Sequence, residues 1–280
     1  MSDPSPQSRF DPVSFTAGKI LQKRAYYTAI PHARQMAEAL GVPWRVSPLR
    51  ALARRLVWGD VGAGRYLQFR YDAISDALRG CSGWGVLEVA AGYSTRGIAE
   101  CGEREVYVES DLPKLIAQKP ALVAAIAGSA RANHHFLALD VCSRPDIEAV
   151  GTVLARCRLT RPLAVVHEGL LMYLDHDEQR RARDHIRWLL ATHSPQGAWI
   201  TTDFSERDQR ERLLPRLLNR RLVNRVERPF HRFASDDAVH QFLRAGGLRG
   251  DQLANLRAGD ADPAVRNCAE HLRAWRIVLG

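Results

Sequence analysis

Val86-Leu-Glu-Val-Ala-Ala-Gly-Tyr-Ser-Thr-Arg96 is a short apolar run that passes through small residues into a polar stretch. The run up to Val89 predicts a strand, and a helix is predicted to begin near Thr95. A strand, a tight turn of small residues and a helix N-terminus form the arrangement in which α/β proteins hold nucleotide-like cofactors. This stretch therefore predicts an α/β fold with a cofactor site near Gly92.

Strand and helix patterns alternate on both sides of this stretch. Strands are predicted at residues 86–89, 105–108, 135–139, 163–166, 198–202 and 275–279. Helices are predicted between them at residues 95–100, 112–128 (interrupted near Pro120), 145–157 and 177–190. Because parallel strands need crossover connections, this order predicts a mostly parallel sheet with helices on both faces.

Helical patterns also lie outside the alternating part. Residues 16–40, broken by Pro31, and residues 48–78 precede the first strand and are expected to cap the sheet. Residues 205–232 are expected to form an Arg-rich helical insertion, and another helix is expected at 235–245. We therefore predict one domain of 280 residues, with a cap (14–80), a cofactor-binding core (81–204), an insertion or lid (205–245) and C-terminal strands (246–280).

Composition excludes several classes of protein. The formal charge is +9, but the Arg residues are spread widely and no RNA-reading motif occurs, so a nucleic-acid partner is not favoured. Five cysteines without a Cys-x-x-Cys pair argue against a disulfide framework and a zinc site, and no metal is expected. Apolar runs are too short to span a bilayer, so we expect a cytoplasmic protein without a membrane partner.

Candidate ligand-binding residues follow the predicted strands, because ligands of such sheets bind at the carboxyl ends of the strands. One acidic residue or acidic pair stands at each of four strand ends. The candidates are Glu88 and Gly92 at the first strand, Glu109 and Asp111 at the second, Asp140 and Val141 at the third, and His167 and Glu168 at the fourth. Asp140 could instead cap the helix that follows it.

The turn after the first strand distinguishes between cofactors. A Gly-x-Gly-x-x-Gly motif is absent, since position 90 is Ala and the next glycine after Gly92 is Gly97. A pyrophosphate needs close backbone approach at several points, and carboxylates around it would repel its charge. An electronegative rim instead suits a cation. This favours S-adenosylmethionine, a sulfonium, over a dinucleotide.

Four motifs together resemble the leucine carboxyl methyltransferase family. They are Glu88-Val-Ala-Ala-Gly92-Tyr-Ser-Thr-Arg96, Tyr107-Val-Glu-Ser-Asp111-Leu-Pro113, Leu139-Asp140-Val141 and Glu168-Gly-Leu-Leu-Met-Tyr-Leu174. The resemblance covers residues 14–204 most clearly. The family includes bacterial relatives proposed to O-methylate polyketide-like products.

The resemblance implies a Rossmann-like class I methyltransferase fold, whose seven-stranded, mostly parallel sheet has an antiparallel last strand. It places Gly92 beside the methionine part of the cofactor, Asp111 on the ribose, Asp140 and Val141 around the adenine, and Glu168 near the sulfonium or amino group. Arg70 matches a cap arginine that grips the cofactor carboxylate, and Lys19 matches an additional N-terminal lysine. Glu88 and Glu109 complete the predicted cofactor-binding set.

The expected activity is transfer of a methyl group to a carboxylate or hydroxyl of a small molecule. A carboxylate is already ionised near pH 7, whereas a hydroxyl benefits from a general base. Glu168, Tyr173 and His167 are the catalytic candidates, and His176 is a further candidate base. Arg residues of the insertion could bind an acidic acceptor.

Two alternatives remain open from the sequence. One is an RNA-modifying methyltransferase, supported only by the positive charge. The other is an S-adenosylmethionine-binding protein without transferase activity. The sequence also leaves open the identity of the acceptor and whether the chain forms a homo-oligomer.

Overall fold

A computed structural model of the chain describes residues 6–45, 63–129, 131–204, 230–253 and 272–280. Within them, seven strands form one sheet in the order β3-β2-β1-β4-β5-β7-β6. The strands are β1 (Gly85–Val89), β2 (Tyr107–Asp111), β3 (His134–Ala138), β4 (Leu163–His167), β5 (Ala198–Thr201), β6 (Leu248–Gln252) and β7 (Trp275–Leu279). β7 pairs antiparallel with both β5 and β6, whereas the pairs among β1 to β5 are parallel. The predicted seven-stranded sheet with an antiparallel last strand is confirmed.

Helices precede the sheet and connect its strands. The N-terminal ones are α1 (Pro6–Tyr27), α2 (Ala33–Ala39) and α3 (Ala63–Arg79). The connecting ones are α4 (Arg96–Glu100), α5 (Pro113–Ile116), α6 (Lys119–Ala127), α7 (Arg144–Cys157), α8 (His176–His193) and α9 (Asp236–Ala245). Among the helices of the described ranges, none is both long and apolar enough to cross a bilayer.

Both faces of the central strands are buried, which explains their apolar sequences. Leu87 of β1 and Trp199 of β5 lie on one face, in the larger core cluster with residues of α7, α8 and α9. Val86 and Tyr107 lie on the other face, in a second cluster with Ile74 of α3. The alternation of side chains along each strand therefore assigns every strand residue to one of two helical layers.

The boundaries of several elements differ from the sequence prediction. The second strand runs from Tyr107 to Asp111 rather than over residues 105–108, so Glu109 and Asp111 lie inside it. The helix predicted at 112–128 is divided in two, because Pro120 takes a position in the first turn of α6, where its missing N–H is not needed. The sixth strand had no predicted position of its own. Residues 48–62 of the predicted cap and residues 205–229 of the Arg-rich insertion lie outside the described residues.

The turn after β1 contains two residues in the left-handed region. Gly92 has φ of 48°, which glycine adopts freely, and Ala90 has φ of 54°. A left-handed conformation costs a residue with a β-carbon roughly 1–2 kcal/mol. The turn therefore holds strain at Ala90 that a glycine would not have.

Replacing Ala90 with glycine is expected to cost little stability, because relief of this strain offsets the greater freedom of glycine in the unfolded chain. Ala91→Gly is the matched control, since Ala91 is buried and does not have a positive φ. We expect a difference of about 1 kcal/mol, so the Tm of Ala90→Gly should lie roughly 2–4 °C above that of Ala91→Gly in thermal melts. Equal Tm values for the two variants would contradict strain at Ala90.

Candidate functional site

A cavity of about 310 Å³ lies at the carboxyl ends of β1 to β4, where ligands of such sheets bind. Its walls are the turns that follow these strands, together with residues of α1 and α3 and the segment just before α9. Seven of the predicted site residues are among those that line it: Arg70, Gly92, Asp111, Asp140, Val141, Glu168 and Tyr173. The structure thus brings these seven together around one space.

Asp111 fixes the turn that carries Gly92. Its Oδ2 accepts a hydrogen bond from the Gly92 N–H at 2.6 Å, and its Oδ1 accepts one from the Leu112 N–H at 2.7 Å. Burial raises the pKa of this carboxyl, although both hydrogen bonds oppose that shift. A β-carbon added at Gly92 would stand 3.8 Å from Cβ of Ala17 on α1, so it would fill space between the turn and the cap.

Asp140 and Val141 lie at the end of β3 beside an apolar wall. The helix cap of α7 is Ser143, whose hydroxyl accepts the Asp146 N–H, so Asp140 is not the cap that the sequence left open. The Oδ1 of Asp140 instead accepts the Cys142 N–H at 2.9 Å and stabilises the turn. Apolar side chains complete this part of the lining: Leu112, Leu115, Leu139 and Val141.

Glu168, after β4, lies among three arginines. Its Oε1 accepts a hydrogen bond from Arg24 at 2.6 Å and lies 3.9 Å from Nε of Arg70, and its Oε2 lies 3.3 Å from Nη2 of Arg96. Burial would raise the pKa of Glu168, but the three guanidinium groups outweigh burial and lower it. Glu168 is therefore a carboxylate whose charge is already neutralised within the protein.

Asp203, just after β5, connects this region to the sheet. Its carboxylate accepts backbone N–H groups from Gly169, Leu170 and Leu171 at 2.7–2.9 Å. It also accepts a bond from Nη2 of Arg70 at 2.5 Å and lies 3.2 Å from Nδ1 of His167. Burial would raise the pKa of Asp203, but His167 and Arg70 hold it well below its usual range. Asp203 thereby positions both Arg70 and the loop that carries Glu168.

Four predicted site residues are not among those that line the cavity. Glu88 accepts the Tyr107 hydroxyl and lies 3.7 Å from Arg96, while Glu109 is paired with Lys119 and His134. His167 is buried behind the β4 loop, and Lys19 is exposed on α1. Their predicted roles at the cofactor remain predictions.

Tyr173 lines the cavity and packs edge-to-face against Phe230, with ring centroids 5.3 Å apart. Burial raises the pKa of its phenol, so Tyr173 is a neutral hydroxyl near pH 7. His176 is exposed in the first turn of α8. In the described part of the chain, no group of three or more His, Cys, Asp or Glu could hold a metal ion.

Sequence reasoning missed Arg24 and Asp203. Asp203 could have been found, because it follows a predicted strand just as the other candidate acids do. Arg24 gave no such signal: it is one of many arginines, and its partner Glu168 lies 144 residues away in the chain.

The model of the leucine carboxyl methyltransferase family matches residues 52–187 of this chain. Over this range the chain is similar to the leucine carboxyl methyltransferase family. The match supports an S-adenosylmethionine-dependent methyltransferase, as the four sequence motifs predict. No curated protein matches the sequence.

Solved structures of methyltransferases are similar to this chain. A proposed methyltransferase from Thermobifida fusca YX has 18% sequence identity and a TM-score of 0.54, over 88% of this chain and 93% of that one. The magnesium protoporphyrin IX methyltransferase of Synechocystis PCC 6803, solved with bound S-adenosylhomocysteine, has 11% identity and a TM-score of 0.48, over 92% and 98%. The Thermobifida likeness confirms the class I methyltransferase fold.

The carboxylate of Asp203 should contribute strongly to stability, because an amide in its place removes the charge that pairs with Arg70 and turns an NH2 donor toward backbone N–H groups. Asp203→Asn is expected to lower the free energy of unfolding by about 3 kcal/mol at pH 7. Since the folded pKa of Asp203 lies below its ordinary value near 3.8, the deficit should be constant above about pH 5 and shrink below about pH 4. Urea unfolding across this pH range measures it.

Asp184→Asn is the control, because Asp184 pairs with Arg183 but its side chain is 55% exposed. The Asp184 carboxylate is screened by solvent, and the buried Arg183 keeps its hydrogen bond to the Phe242 carbonyl. Loss of this pair should therefore cost at most about 1 kcal/mol, and the variant should unfold close to the parent at every pH. An Asp203→Asn deficit no larger than that of Asp184→Asn would contradict the positioning role of Asp203.

Proposed function

We propose that this cavity binds S-adenosylmethionine and that the protein methylates a carboxylate oxygen of a small organic acid. The observation that supports this most directly is the grouping of Asp111, Asp140 and Arg70 around one cavity at the switch from β1 to its two neighbours. The family match supports the methyltransferase class, and the choice of oxygen and of acceptor rests on the chemistry of the lining.

The donors and acceptors of the cavity suit the cofactor. Asp111 is a carboxylate beside the Gly92 turn, and such a group accepts hydrogen bonds from ribose hydroxyls. A purine ring would contact the apolar wall, and the Asp140 carboxylate beside that wall offers it a polar partner. Arg70 and Arg24 are guanidinium groups that can pair with the carboxylate of the amino-acid part. When bound, S-adenosylmethionine supplies an electrophilic methyl group that an acceptor oxygen takes up as the carbon–sulfur bond breaks.

A carboxylate acceptor fits this lining better than a hydroxyl. Among the described residues that line the cavity there is no histidine, and the Tyr173 phenol is kept neutral. The carboxylate of Glu168 is occupied by arginines. The described residues of the lining thus offer little that would remove a proton from a hydroxyl. An acid acceptor needs no base, so alignment and exclusion of water are sufficient.

The charge of the lining also favours an acid. Among the described residues, three acids and four basic side chains line the cavity, the basic ones being Lys23, Arg24, Arg70 and Arg232. A cofactor with a sulfonium, an ammonium and one carboxylate adds a further positive charge. An anionic acceptor would balance that excess, and Tyr173 and Phe230 offer ring surfaces for its apolar part.

Replacing Asp111 with asparagine should weaken cofactor binding, because a charged hydrogen-bond acceptor is lost at the ribose. Such bonds contribute about 1.5–3 kcal/mol, so we expect a dissociation constant for S-adenosylhomocysteine that is roughly 10–100 times larger. Titration calorimetry measures it. Asp177→Asn, on the exposed first turn of α8, is the control and should bind like the parent. Unchanged binding by Asp111→Asn would contradict the ribose role.

Methyl esters and methyl ethers are separated by their stability in alkali. Incubation of the protein with methyl-labelled cofactor and a cell extract is expected to give a small-molecule product that releases its label as methanol in mild alkali. Alkali-stable label would indicate a hydroxyl acceptor. Label in ribonuclease-sensitive material would indicate RNA, and cofactor binding without any labelled product would indicate a non-catalytic binding protein.

A further inference from the structure

A buried ion-pair cluster lies behind the Gly92 turn, outside the cavity. Lys119, the first residue of α6, has no exposed surface, and its ammonium pairs with Oε2 of Glu109 on β2. The Oε1 of Glu109 lies 2.8 Å from Nε2 of His134 on β3. These three side chains form what we call the turn-support cluster: Lys119, Glu109 and His134.

The cluster reaches the cofactor turn through one hydrogen bond. Nζ of Lys119 donates to the carbonyl oxygen of Gly92 at 2.8 Å. On the other side of the same residue, the Gly92 N–H donates to Asp111. The two peptide groups that flank the Gly92 α-carbon are therefore both held, which determines its left-handed backbone conformation.

The carboxylate of Glu109 offsets the positive charge of Lys119. Burial would raise the pKa of Glu109, but Lys119 and His134 outweigh burial and lower it, so the group is a carboxylate. A buried ammonium directly behind the turn would repel a sulfonium in front of it. Pairing with Glu109 neutralises that ammonium while its hydrogen bond to the turn is kept.

Close packing shows that the cluster has no room for rearrangement. A β-carbon at Gly97 of α4 would lie 2.2 Å from Oε1 of Glu109 and 2.6 Å from Nε2 of His134. The absence of a side chain at Gly97 thus allows α4 to approach the cluster. β2, β3, α4 and α6 all meet at this point.

We propose that Lys119 is a positioning residue for cofactor binding, which holds the Gly92 carbonyl so that the turn presents its backbone to the cofactor. Glu109 serves this arrangement from behind the turn instead of contacting the ribose. The inference rests on the proposed function, because it assumes that the cofactor binds at Gly92.

Stability and binding can be separated by a pair of variants. Lys119→Met removes the ammonium but leaves Glu109 buried without it, so both the Tm and cofactor binding should fall. The double variant Lys119→Met/Glu109→Gln removes both charges with nearly unchanged shape. It should recover most of the Tm but still bind S-adenosylhomocysteine at least tenfold more weakly than the parent in titration calorimetry.

Lys114→Met is the matched control, because it is the same substitution at an exposed lysine of α5, outside the cluster. It should change neither the Tm nor the dissociation constant.

Two results would overturn the inference. One is parent-like binding by the double variant. The other is a double variant that fails to recover the Tm, which would make Lys119 a folding residue. A parent protein that binds no S-adenosylhomocysteine would instead overturn the proposed function, so the two failures are distinguishable.

Discussion

The carboxylate of Asp203 is the group on which the geometry of the cavity depends. It joins Arg70 of the cap to the loop after β4 through one buried charge, and that loop carries Glu168 and Tyr173. A buried carboxylate is costly to desolvate and is tolerated only where its lone pairs are filled. Here three backbone N–H groups, one guanidinium and one imidazole fill them. The cap and the end of the sheet are therefore held in one arrangement, and the cavity between them has a defined shape.

The three carboxylates on β1 and β2 have different roles, because they lie at different distances from the ends of their strands. Glu88, Glu109 and Asp111 lie on the same face of the sheet, and Glu88 and Glu109 are direct neighbours in the register of β1 and β2. That face is covered by α4 and α6, which bring Arg96 and Lys119 to the two glutamates. Asp111 is the last residue of β2, so it alone of the three reaches the open end of the sheet. Two residues along β2 thus separate Glu109, which forms an internal ion pair, from Asp111, which faces the cavity.

The exact ends of the strands, and contacts between residues far apart in the chain, limit what the sequence could predict. The alternation of strands and helices is sufficient to predict the parallel part of the sheet and the grouping of Gly92, Asp111 and Asp140, because parallel strands bring their carboxyl ends together. The sequence does not predict the last residue of β2 accurately, and that residue decides whether Glu109 lies within the strand or beyond its end. The pairing of Arg24 with Glu168 depends on how α1 packs over the sheet, and no local pattern encodes a contact of that sequence separation. The hydrogen bond from Lys119 to the Gly92 carbonyl could not be predicted for the same reason.

The electrostatics of the cavity also differ from the uniformly electronegative rim that the strand-end acids predict. The end formed by β2 and β3 carries Asp111 and Asp140, whereas the end formed by β4 and the cap carries guanidinium groups whose neighbouring acids are already paired. A ligand of a single charge sign is attracted to one end and repelled by the other. A ligand that carries both signs gains from both ends only in one orientation. The two-ended charge pattern therefore acts as an orienting field, and its guanidinium end depends on Asp203, which holds Arg70 in place.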